Sequence, residues 1–313
     1  MTDSDHHGDQ HPDPSTLKRH YDADFQGGEA YRDTLPDTQN AAATEIRGLP
    51  VAVQQVGVSG FRLPIRLQRP DGSSLEVEGR LEGTVLLKAG VRGINMSRII
   101  RSAYPHHERT MSLECLEDAL RAVLREVQSE AGRLRIDFSY PIEQRSLRSG
   151  MSGYQYYQVG MECVVDESLR LSRSLFFDFQ YSSACPGSAD LADHAEATRG
   201  IYSIPHSQRS LAQLQVRVAD GGSLTFEGIL DYCRRALQTE GQVMVRRDDE
   251  QAFAEMNGAY TKFVEDAARL LYEQLDPEPD IADFRVTCRH LESLHAHDAI
   301  AVIVKGVPGG YAA

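Results

Sequence analysis

Residues 51–87 read VAVQQVGVSGFRLPIRLQRPDGSSLEVEGRLEGTVLL, and this stretch decides the class of fold. Its segments 51–57, 60–68 and 73–86 are rich in valine, isoleucine and leucine, a composition that favours β-strands. Between the last two segments, the letters RPDGSS are typical of the turn of a β-hairpin. Because a hairpin joins neighbouring strands in antiparallel order, the sheet that begins here is predicted to be antiparallel.

A different period follows in residues 112–130, SLECLEDALRAVLREVQSE. Its apolar side chains recur three and four positions apart, at Leu113, Leu116, Leu120, Val123, Leu124 and Val127. This spacing places them on one face of a helix. Strand patterns return in GRLRIDFSYPI, YQYYQVGMECVV and RLSRSLFFDFQYSSA, with DES as the turn between the last two. The first half therefore predicts strands, then a helix, then strands again.

The second half repeats this order of elements. RSLAQLQVRVAD is predicted as a strand, GGS as a turn, and LTFEGILDYCRRAL as a helix with Ser223 as its N-cap. The run DDEQAFAEMNGAYTKFVEDAARLLYEQL is predicted to be largely helical with an interruption near Gly258, and DFRVTCRHLES and DAIAVIVKG are predicted as closing strands. Antiparallel hairpins with separate helices indicate an α+β fold rather than the alternating order of a parallel sheet. The two matching halves suggest a structural duplication.

Composition and charge restrict the possible classes of protein. The chain has 313 residues, of which 41% are hydrophobic and 25% charged, the balance of a soluble globular protein. Its net charge of −13 disfavours a nucleic-acid partner, because phosphate backbones require a basic surface. The sequence contains no signal peptide and no run near the ~20 apolar residues of a membrane span. Five cysteines at scattered positions indicate a reducing, cytoplasmic compartment rather than a disulfide framework.

Three parts of the chain are predicted from this pattern. Residues 1–33 are polar and carry few aliphatic side chains, so they are expected to form a mobile acidic arm. Residues 34–168 and 169–313 are expected to form two units of one continuous domain, each with an antiparallel sheet and helices.

Cys185 in YSSACPGS and His206 in PHSQRS are the first candidates for chemistry. A thiolate and a neutral imidazole are good ligands for a borderline-soft divalent metal. Their separation of 21 residues matches no compact zinc motif, so the spacing alone favours an ordinary polar loop over a metal site.

Glu250 in RRDDEQ and Glu265 in KFVED are acidic candidates in the long helical run. On an unbroken helix these two carboxylates would lie within about 60° of each other. A break at Gly258 would remove that relation. Charged helix positions usually face water, so a solvated surface is the alternative interpretation.

Glu292, His295 and His297 lie in ESLHAHDAIA, directly before an apolar strand. His295 and His297 are expected to share one strand face, because side chains alternate along a strand. A carboxylate beside an imidazole can set its tautomer and raise its pKa, which suits proton transfer near neutral pH. Loop residues that cap a strand are the alternative.

Ser97 and Arg98 in GINMSRIIRS and Arg209 in HSQRS are candidate phosphate ligands. Arginine and serine beside a glycine-containing turn can hold phosphate oxygens, although each alone also describes a surface residue. The sequence contains no Walker A motif, no GxGxxG motif and no GxSxG nucleophile elbow, so the common nucleotide cradles and that hydrolase motif are absent from it.

Eight segments in this order resemble the type IB GTP cyclohydrolase I family: LPDTQ, VGVSGFRLPI, GINMSR, YSSACPGS, PHSQRS, RRDDEQ, KFVEDAARLL and ESLHAHDAIA. They extend through nearly the whole chain after the arm. The resemblance implies a tunnelling fold with two antiparallel-sheet-plus-helices units per chain. It also implies a homotetramer with active sites at subunit interfaces. The reaction would convert GTP and water to 7,8-dihydroneopterin triphosphate and formate, the first step of folate biosynthesis.

The same resemblance implies one divalent metal per active site, Mn²⁺, Zn²⁺ or Fe²⁺, held by Cys185, His206 and Glu250. Many members carry a second cysteine two residues after the first, where this chain has Gly187. The residues between Cys185 and His206 are interpreted as a tolerated loop extension, with His194 inside it as a bystander.

Roles for the remaining candidates also come from the resemblance. Glu265 would anchor the guanine edge, because a carboxylate accepts two parallel hydrogen bonds from N1–H and the 2-amino group. Glu292 and His295 would form an acid/base pair near the metal. The triphosphate would be bound by Ser97, Arg98 and Arg209.

Three rival interpretations stay open at this point. An archaeal-type relative makes a cyclic phosphate from the same GTP. A nitrile reductase of queuosine synthesis would need a nucleophilic cysteine and NADPH and would show no metal dependence. A non-catalytic protein that binds metal or pterin would release no formate.

Overall fold

The computed structural model describes residues 21–36 and 46–313. Within them, eight strands form one antiparallel sheet in chain order, from β1 at one edge to β8 at the other. The strands are β1 (Val53–Gln68), β2 (Ser74–Leu87), β3 (Gly132–Arg145), β4 (Ser152–Val165), β5 (Leu171–Ala184), β6 (Ser207–Val218), β7 (Ile281–His290) and β8 (Ala299–Val304).

Helices lie before the first strand and in the connections between strands, and most of them pack on one face of this sheet. They are α1 (Glu29–Arg32), α2 (Met96–Ala103), α3 (Leu113–Val127), α4 (Pro186–Arg199), α5 (Phe226–Leu237), α6 (Arg247–Ala259) and α7 (Val264–Leu275), with a 3₁₀ turn at Tyr104–Glu108 after α2. α2 and α3 pack together in the first half, and α5 and α7 pack together in the second. The predicted α+β class with an antiparallel sheet and helices is confirmed.

The two faces of the sheet differ because side chains alternate along each strand. On β6, Ala212, Leu214 and Val216 point to the helices and are at most 2% exposed. The alternating positions Gln213 and Gln215 lie on the opposite, polar face. The apolar face and the helices enclose one continuous core. The helix face therefore stabilises the fold, and the polar face remains open to water or to another chain.

The predicted stripe of α3 lies in this core. Leu116, Leu120 and Val123 are at most 1% exposed. Ser112 begins the helix, and its hydroxyl accepts a hydrogen bond from the main-chain N–H of Cys115 at 3.2 Å. Sequence periodicity was sufficient here because one helix face is buried along its whole length.

Two local predictions in the strands and caps need correction. The predicted segments 51–57 and 60–68 form one strand, β1, whose register shifts at Gly60, a residue with a φ of 73°. Thr225, not Ser223, is the N-cap of α5, and its hydroxyl accepts from the N–H of Gly228 at 3.1 Å. Ser223 instead donates from its main-chain N–H to Asp280 at 3.3 Å. Both residue types can cap a helix, and the neighbouring turn decides which one does.

The segment between Cys185 and His206 was predicted as a loop, and this prediction was wrong. Residues 186–199 form α4, which begins with Pro186 and ends at Gly200, a glycine with a φ of 65°. The predicted interruption near Gly258 is confirmed, because α6 ends at Ala259 and α7 begins at Val264.

The predicted N-terminal arm lies mainly outside the described residues, since residues 1–20 are not described. The described part of that arm contains the short helix α1. The predicted boundary at residue 168 falls in the turn between β4 and β5, and the division into units remains a prediction. No helix within residues 21–36 and 46–313 is long and apolar enough to cross a membrane.

Candidate active site

Cys185 and His206 meet where the hairpin of β5 and β6 opens. Ala184 pairs with Ser207 in the sheet register, so the residues that follow and precede this pair are neighbours. The main-chain N–H of Cys185 donates to the carbonyl of His206 at 3.1 Å. The antiparallel ladder therefore closes the separation of 21 residues that made the pair unremarkable in the sequence.

A buried hydrogen-bond network orients the His206 ring. The Gln208 side-chain amide donates to the Ser183 hydroxyl at 2.8 Å, and that hydroxyl lies 2.8 Å from the hydroxyl of Ser210. The amide oxygen of Gln208 then faces Nδ1 of His206 at 3.1 Å. An acceptor at this position favours the tautomer with a proton on Nδ1, which leaves the lone pair of Nε2 free to bind a ligand.

Glu292 stands beside the same ring. Its Oε2 lies 3.5 Å from Nδ1 of His206, and the two side chains are only 13% and 19% exposed. This oxygen is buried and makes no hydrogen bond among the described residues. The main-chain N–H of Leu291 donates to the carbonyl of Arg209 at 3.2 Å, which fixes the start of the loop that carries Glu292. A buried carboxylate oxygen without a donor needs a positive or hydrogen-bonding partner.

The Cys185 side chain is half-buried at the start of α4 and is a free thiol. It occupies the N-cap position, but its side chain makes no capping hydrogen bond. A Cβ atom added at Gly187 would lie 4.0 Å from the Cys185 sulfur and 3.8 Å from the Phe263 ring. A side chain at position 187 would therefore contact the thiol, and the glycine leaves Cys185 as the one sulfur at this point of the described chain.

Glu265 lies in the first turn of α7, where its side chain is exposed. Its negative charge acts on His290, a buried histidine at the end of β7. Burial, then the nearby ammonium of Lys262, lowers the pKa of His290 to about 4, although Glu265 opposes this shift. His290 is therefore neutral at pH 7, and its Nε2 lies 3.0 Å from the Tyr181 hydroxyl.

Lys262 is the buried cation behind this part of the site, with 3% of its surface exposed. Its ammonium donates to the Thr239 hydroxyl at 3.3 Å and to the carbonyl of Tyr260, and its main-chain N–H donates to the carbonyl of Ala184 at 3.1 Å. Among the described residues it forms no ion pair with a carboxylate. Burial lowers its pKa to about 8.

Glu250 lies on α6 as the last of three consecutive acids, and the structure separates their roles. Asp249 is fully buried and accepts from the main-chain N–H groups of Arg148, Ser149 and Arg246 at 2.7 to 2.9 Å. Burial alone would raise the pKa of Asp249, but these hydrogen bonds outweigh it and hold the pKa well below its usual range. Glu250 is exposed and has no hydrogen-bond or ion-pair partner in the described part of the chain.

The three candidate phosphate ligands do not meet within one chain. Ser97 and Arg98 lie in the first turn of α2, which packs on α3 and β1 in the first half. The Ser97 hydroxyl donates to the Asn95 side chain at 2.6 Å. Arg209 lies on β6 next to the candidate metal ligands, and its side chain is exposed on the polar face of the sheet.

His295 and His297 lie in the exposed loop between β7 and β8, so the prediction that they share a strand face was wrong. Their rings stack with centroids 4.9 Å apart and planes at 9°. Within the described ranges, no ion pair joins His295 to Glu292, whose neighbour is His206 instead. The alternative interpretation, loop residues before a strand, describes them, and a strand face was expected because the alternation of the following strand continues backwards through these residues.

Comparison with known proteins adds the observation that decides the family. Residues 35–301 match the family model described as type I GTP cyclohydrolase folE2. GTP cyclohydrolase FolE2 of Ruegeria sp. (strain TM1040) is 50% identical over 291 residues, which cover 93% of this chain and 79% of that protein. GTP cyclohydrolase FolE2 of Paracoccus denitrificans (strain Pd 1222) is 48% identical over 290 residues, covering 93% of this chain and 90% of that protein.

The chain belongs to the type I GTP cyclohydrolase FolE2 family. The predicted family and the predicted enzyme class, a GTP cyclohydrolase, are thereby confirmed. Among solved structures, uricase from Arthrobacter globiformis is similar with a TM-score of 0.49 and 10% identity, and the match covers 86% of this chain and 97% of that one.

In this FolE2 chain, no group of three His, Cys, Asp or Glu side chains within residues 21–36 and 46–313 is placed to hold a metal ion. Cys185 and His206 are joined through the main chain, Glu292 lies beside the His206 ring, and Glu265 lies near His290. Glu250 stands apart on α6, and His295 in its exposed loop.

Four residues that matter for the geometry of this FolE2 site were missed by the sequence reasoning: Gln208, Lys262, His290 and Tyr181. Gln208 is two residues after His206, so it lies on the same face of β6, and that spacing could have indicated it. Lys262 and His290 gave no such signal. Lysine and histidine are seldom fully buried, and the burial of these two residues arises from packing between distant segments.

Proposed function

We propose that this chain converts GTP and water to 7,8-dihydroneopterin triphosphate and formate, as the first step of folate biosynthesis, at the site around Cys185 and His206. The observation that carries this proposal is the closed hairpin. It makes Cys185, a free thiol, and His206 main-chain neighbours, and Nδ1 of His206 faces Gln208, which leaves Nε2 available.

The donor set fits one divalent metal ion. A thiol and a neutral imidazole suit Zn²⁺, Mn²⁺ or Fe²⁺, and the unpartnered Oε2 of Glu292 needs nearby positive charge. We assign the ligands to Cys185, His206 and Glu250, with Gln208 and Glu292 as the groups that orient the His206 ring. Such an ion, when bound, supplies a water molecule whose pKa is lowered towards neutrality.

Glu265 binds the guanine base in this proposal. Its carboxylate accepts hydrogen bonds from N1–H and from the 2-amino group, an arrangement that distinguishes guanine from adenine. Its exposure in the first turn of α7 leaves both carboxylate oxygens open to a ligand.

His295 and Glu292 carry the proton transfers in this proposal. His295 is exposed, so it can exchange protons with water and deliver one to the imidazole ring of the base as that ring opens. Glu292 lies three residues earlier in the same loop, where a carboxylate can orient an imidazole or hold its proton. Ser97, Arg98 and Arg209 are assigned to the triphosphate, since hydroxyl and guanidinium donors match phosphate oxygens.

A homotetramer and a cytoplasmic location complete the proposal. The open edges at β1 and β8 and the polar face of the sheet support assembly with further copies. All five cysteines are free thiols in the structure, which suits a reducing compartment.

One assay tests the function directly. Purified, metal-stripped protein is incubated with GTP and added Mn²⁺, Zn²⁺ or Fe²⁺, while formate and the pterin fluorescence after oxidation are measured together. Formate and pterin in equal amounts are expected with at least one metal. Absence of both products with every metal contradicts the proposal. The mass of the product separates the linear triphosphate from a cyclic phosphate.

Single substitutions locate the activity. Cys185→Ala and His206→Ala are each expected to abolish formate release and to weaken metal binding measured by equilibrium dialysis. His6→Ala is the control, because His6 is not among the candidate site residues. Formate release that persists at the wild-type rate in Cys185→Ala would remove the thiol from the ligand set.

A further inference from the structure

A cavity of about 470 Å³ lies between the first turns of α3 and α5 and the helix-bearing face of the sheet. Its lining includes Ser112 and Thr225, the N-caps of these two helices. Residues of β1, β3, β4, β5 and β6 form its floor. Because α3 belongs to the first half of the chain and α5 to the second, we call it the seam cavity. Protein interiors are usually packed without voids of this size, and cavities that bind small molecules fall in this range of volume.

The buried lining of the seam cavity is apolar and adaptable. Four apolar side chains in it are at most 7% exposed, and they are Met111, Met161, Leu175 and Phe226. The ring centroids of Phe226 and Tyr140 lie 5.5 Å apart. Methionine side chains are flexible and make favourable sulfur contacts with aromatic rings, and aromatic side chains offer an edge or a face to a further ring. This lining therefore suits the flat body of an aromatic ligand.

A buried hydroxyl marks the polar end of the cavity. Tyr140 is 3% exposed, and its hydroxyl donates to Oε1 of Glu227 at 2.8 Å. Burial, then the Glu227 carboxylate, raises the pKa of Tyr140, so the hydroxyl keeps its proton and remains a donor at neutral pH. The guanidinium of Arg69 acts on the same hydroxyl in the opposite direction, and it donates to the carbonyl of Pro141 at 3.2 Å. Arg69 and Glu227 therefore stand at the same end of the cavity.

Arg69 and Glu227 carry opposite charges but do not pair with each other. Both line the cavity and are half-buried, and no ion pair joins them within residues 21–36 and 46–313. Oε2 of Glu227 accepts no hydrogen bond from the same part of the chain. A ligand with a carbonyl oxygen towards Arg69 and an N–H group towards Glu227 would match both side chains at once. A lactam, a ring with C=O beside N–H, carries these two groups side by side.

The charge of the lining disfavours phosphorylated ligands. Besides Glu227 it contains Glu114, which is exposed in the first turn of α3, and Arg69 is the one cation among the described lining residues. A lining with more negative than positive charge repels phosphate groups. The ligand that fits is therefore neutral.

The floor of the seam cavity is remote from Cys185 within the chain. Leu175 in this floor lies nine residues before Ala184, the last residue of β5, and that length of strand spans roughly 30 Å. The described lining contains none of the residues that the proposed function assigns to the metal, the guanine base, the triphosphate or proton transfer. A molecule bound here is therefore not the substrate in the proposed active site.

We propose that the seam cavity is a second ligand site of this protein, for a neutral, unphosphorylated heteroaromatic molecule with a lactam edge. The aromatic ring of the ligand lies against the buried methionine and phenylalanine side chains. Its carbonyl oxygen accepts from Arg69, and its N–H donates to Glu227. This inference goes beyond the proposed function and does not depend on the roles assigned to Cys185 and His206.

Tryptophan fluorescence tests the location, because the chain contains no tryptophan. Ser223→Trp and Gln68→Trp each place one reporter at an exposed position of the cavity lining. The probe is lumazine, a bicyclic lactam that is neutral at pH 7 and absorbs in the range of tryptophan emission. Saturable quenching of the reporter by lumazine is expected in both variants.

Leu191→Trp is the control for location. This position is 72% exposed on α4, the helix that begins directly after Cys185. Its fluorescence is expected to show only the weak, non-saturable loss that free lumazine causes. Saturable quenching in neither cavity variant, or quenching of equal strength in Leu191→Trp, would overturn the proposal.

A matched probe and a matched variant test the lactam edge. Dimethyllumazine, in which both N–H groups are methylated, is expected to bind to Ser223→Trp at least about tenfold more weakly than lumazine. Glu227→Gln, added to Ser223→Trp, keeps an acceptor for the Tyr140 hydroxyl but loses one carboxylate oxygen, and lumazine is expected to bind to it about tenfold more weakly. Glu126→Gln in the same background is the control, because Glu126 is exposed on α3 and outside the lining. Equal lumazine affinity in the two double variants, or equal affinity for the two probes, would overturn the assignment of the polar end.

Competition with GTP tests whether the site takes neutral ligands. The guanine base of GTP carries a lactam edge, but its triphosphate is repelled by the acidic lining of the cavity. GTP at the same concentration as lumazine is therefore expected to leave the quenching of Ser223→Trp unchanged. Displacement of lumazine by GTP would contradict a site for unphosphorylated ligands and would overturn the proposal.

Discussion

The buried hydrogen-bond network beneath His206 and the exposed carboxylates of α6 and α7 are built in opposite ways. Below the ring, Gln208, Ser183 and Ser210 are buried and hydrogen-bonded to one another, so their orientation is fixed by the fold. On α6 and α7, Glu250 and Glu265 are exposed, and their side chains lack hydrogen-bonded partners in the described chain. The fold therefore fixes the groups beside the imidazole, whereas the two exposed carboxylates are left available for the ligands of the proposed function.

Removal of the exposed carboxylate of Glu265 is expected to have the largest effect. Glu265→Ala loses two hydrogen bonds between a charged group and guanine, each of about 1.5–3 kcal/mol, so kcat/KM for GTP is expected to fall by about 10²- to 10⁴-fold. The free energy of unfolding is expected to change by less than about 0.5 kcal/mol, because the side chain is exposed. Steady-state kinetics and urea unfolding measure the two effects. A large loss of stability would place Glu265 with the structural groups.

The burial of Lys262 can be tested by the pH dependence of the free energy of unfolding. Its pKa is about 8 in the folded chain and near 10.4 when unfolded, so between these values the unfolded chain binds more protons. Stability therefore rises as the pH increases from 8 to 10.4, by roughly 3 kcal/mol for this group. In Lys262→Met this increment is expected to disappear. The difference between wild type and variant in urea unfolding at pH 8 and pH 10 measures it, and identical pH slopes would contradict the burial of the charge.

The burial of His290 can be tested in the same way at acidic pH. Burial and the charge of Lys262 lower its pKa to about 4, whereas the unfolded value is near 6.5. Stability is therefore expected to fall as the pH decreases from 6.5 to 4, by up to about 3 kcal/mol, because only the unfolded chain takes up a proton there. His290→Gln is expected to flatten this part of the profile, which thermal unfolding across that range measures. An unchanged profile would contradict a buried neutral histidine.

Gln208 tests whether the buried hydrogen-bond network orients the ring of His206, the proposed metal ligand. Gln208→Leu keeps a similar volume but removes the acceptor for Nδ1–H of His206, and metal affinity is expected to fall about 10- to 100-fold. A titration with Co²⁺, followed by the thiolate absorption band, measures this affinity without an activity assay. The exposed neighbour Arg209→Gln is the matched control and is expected to keep wild-type affinity. Equal affinities for the two variants would show that this hydrogen-bond network does not orient the His206 ring.

The N-terminus of α5 offers the test with the smallest expected effect, a comparison of Thr225, the observed N-cap, with Ser223, the predicted one. The Thr225 hydroxyl accepts a hydrogen bond from the N–H of Gly228. Ser223 lies in the turn before the helix and is hydrogen-bonded to Asp280 instead. Thr225→Ala is expected to lower the free energy of unfolding by about 1 kcal/mol, and Ser223→Ala by clearly less. Chemical unfolding of the two variants compares them directly. A larger loss for Ser223→Ala would restore the cap that the sequence predicts.

Prediction from the sequence succeeded where a repeating pattern is buried along its whole length. The stripe of α3 and the alternation of β6 follow from one-sided burial, which acts on every residue of the element. Prediction was wrong at α4, whose small and acidic residues bury only two alanines and so carry no apolar period. It also could not show that Asp249 serves three main-chain N–H groups while Glu250 stays free, because the turn at 148–149 is about 100 residues away in the chain.

The amino-acid sequence by itself determined the antiparallel α+β class and the family, because hydrophobic periodicity and ordered motifs are local features of a chain. The tertiary structure alone decided that Cys185 and His206 are neighbours, that Glu292 faces the His206 ring, and that Lys262 and His290 are buried. These facts depend on which distant segments pair in the sheet and pack against it. The register of β5 with β6 closes 21 residues into one contact, and no local pattern encodes that register.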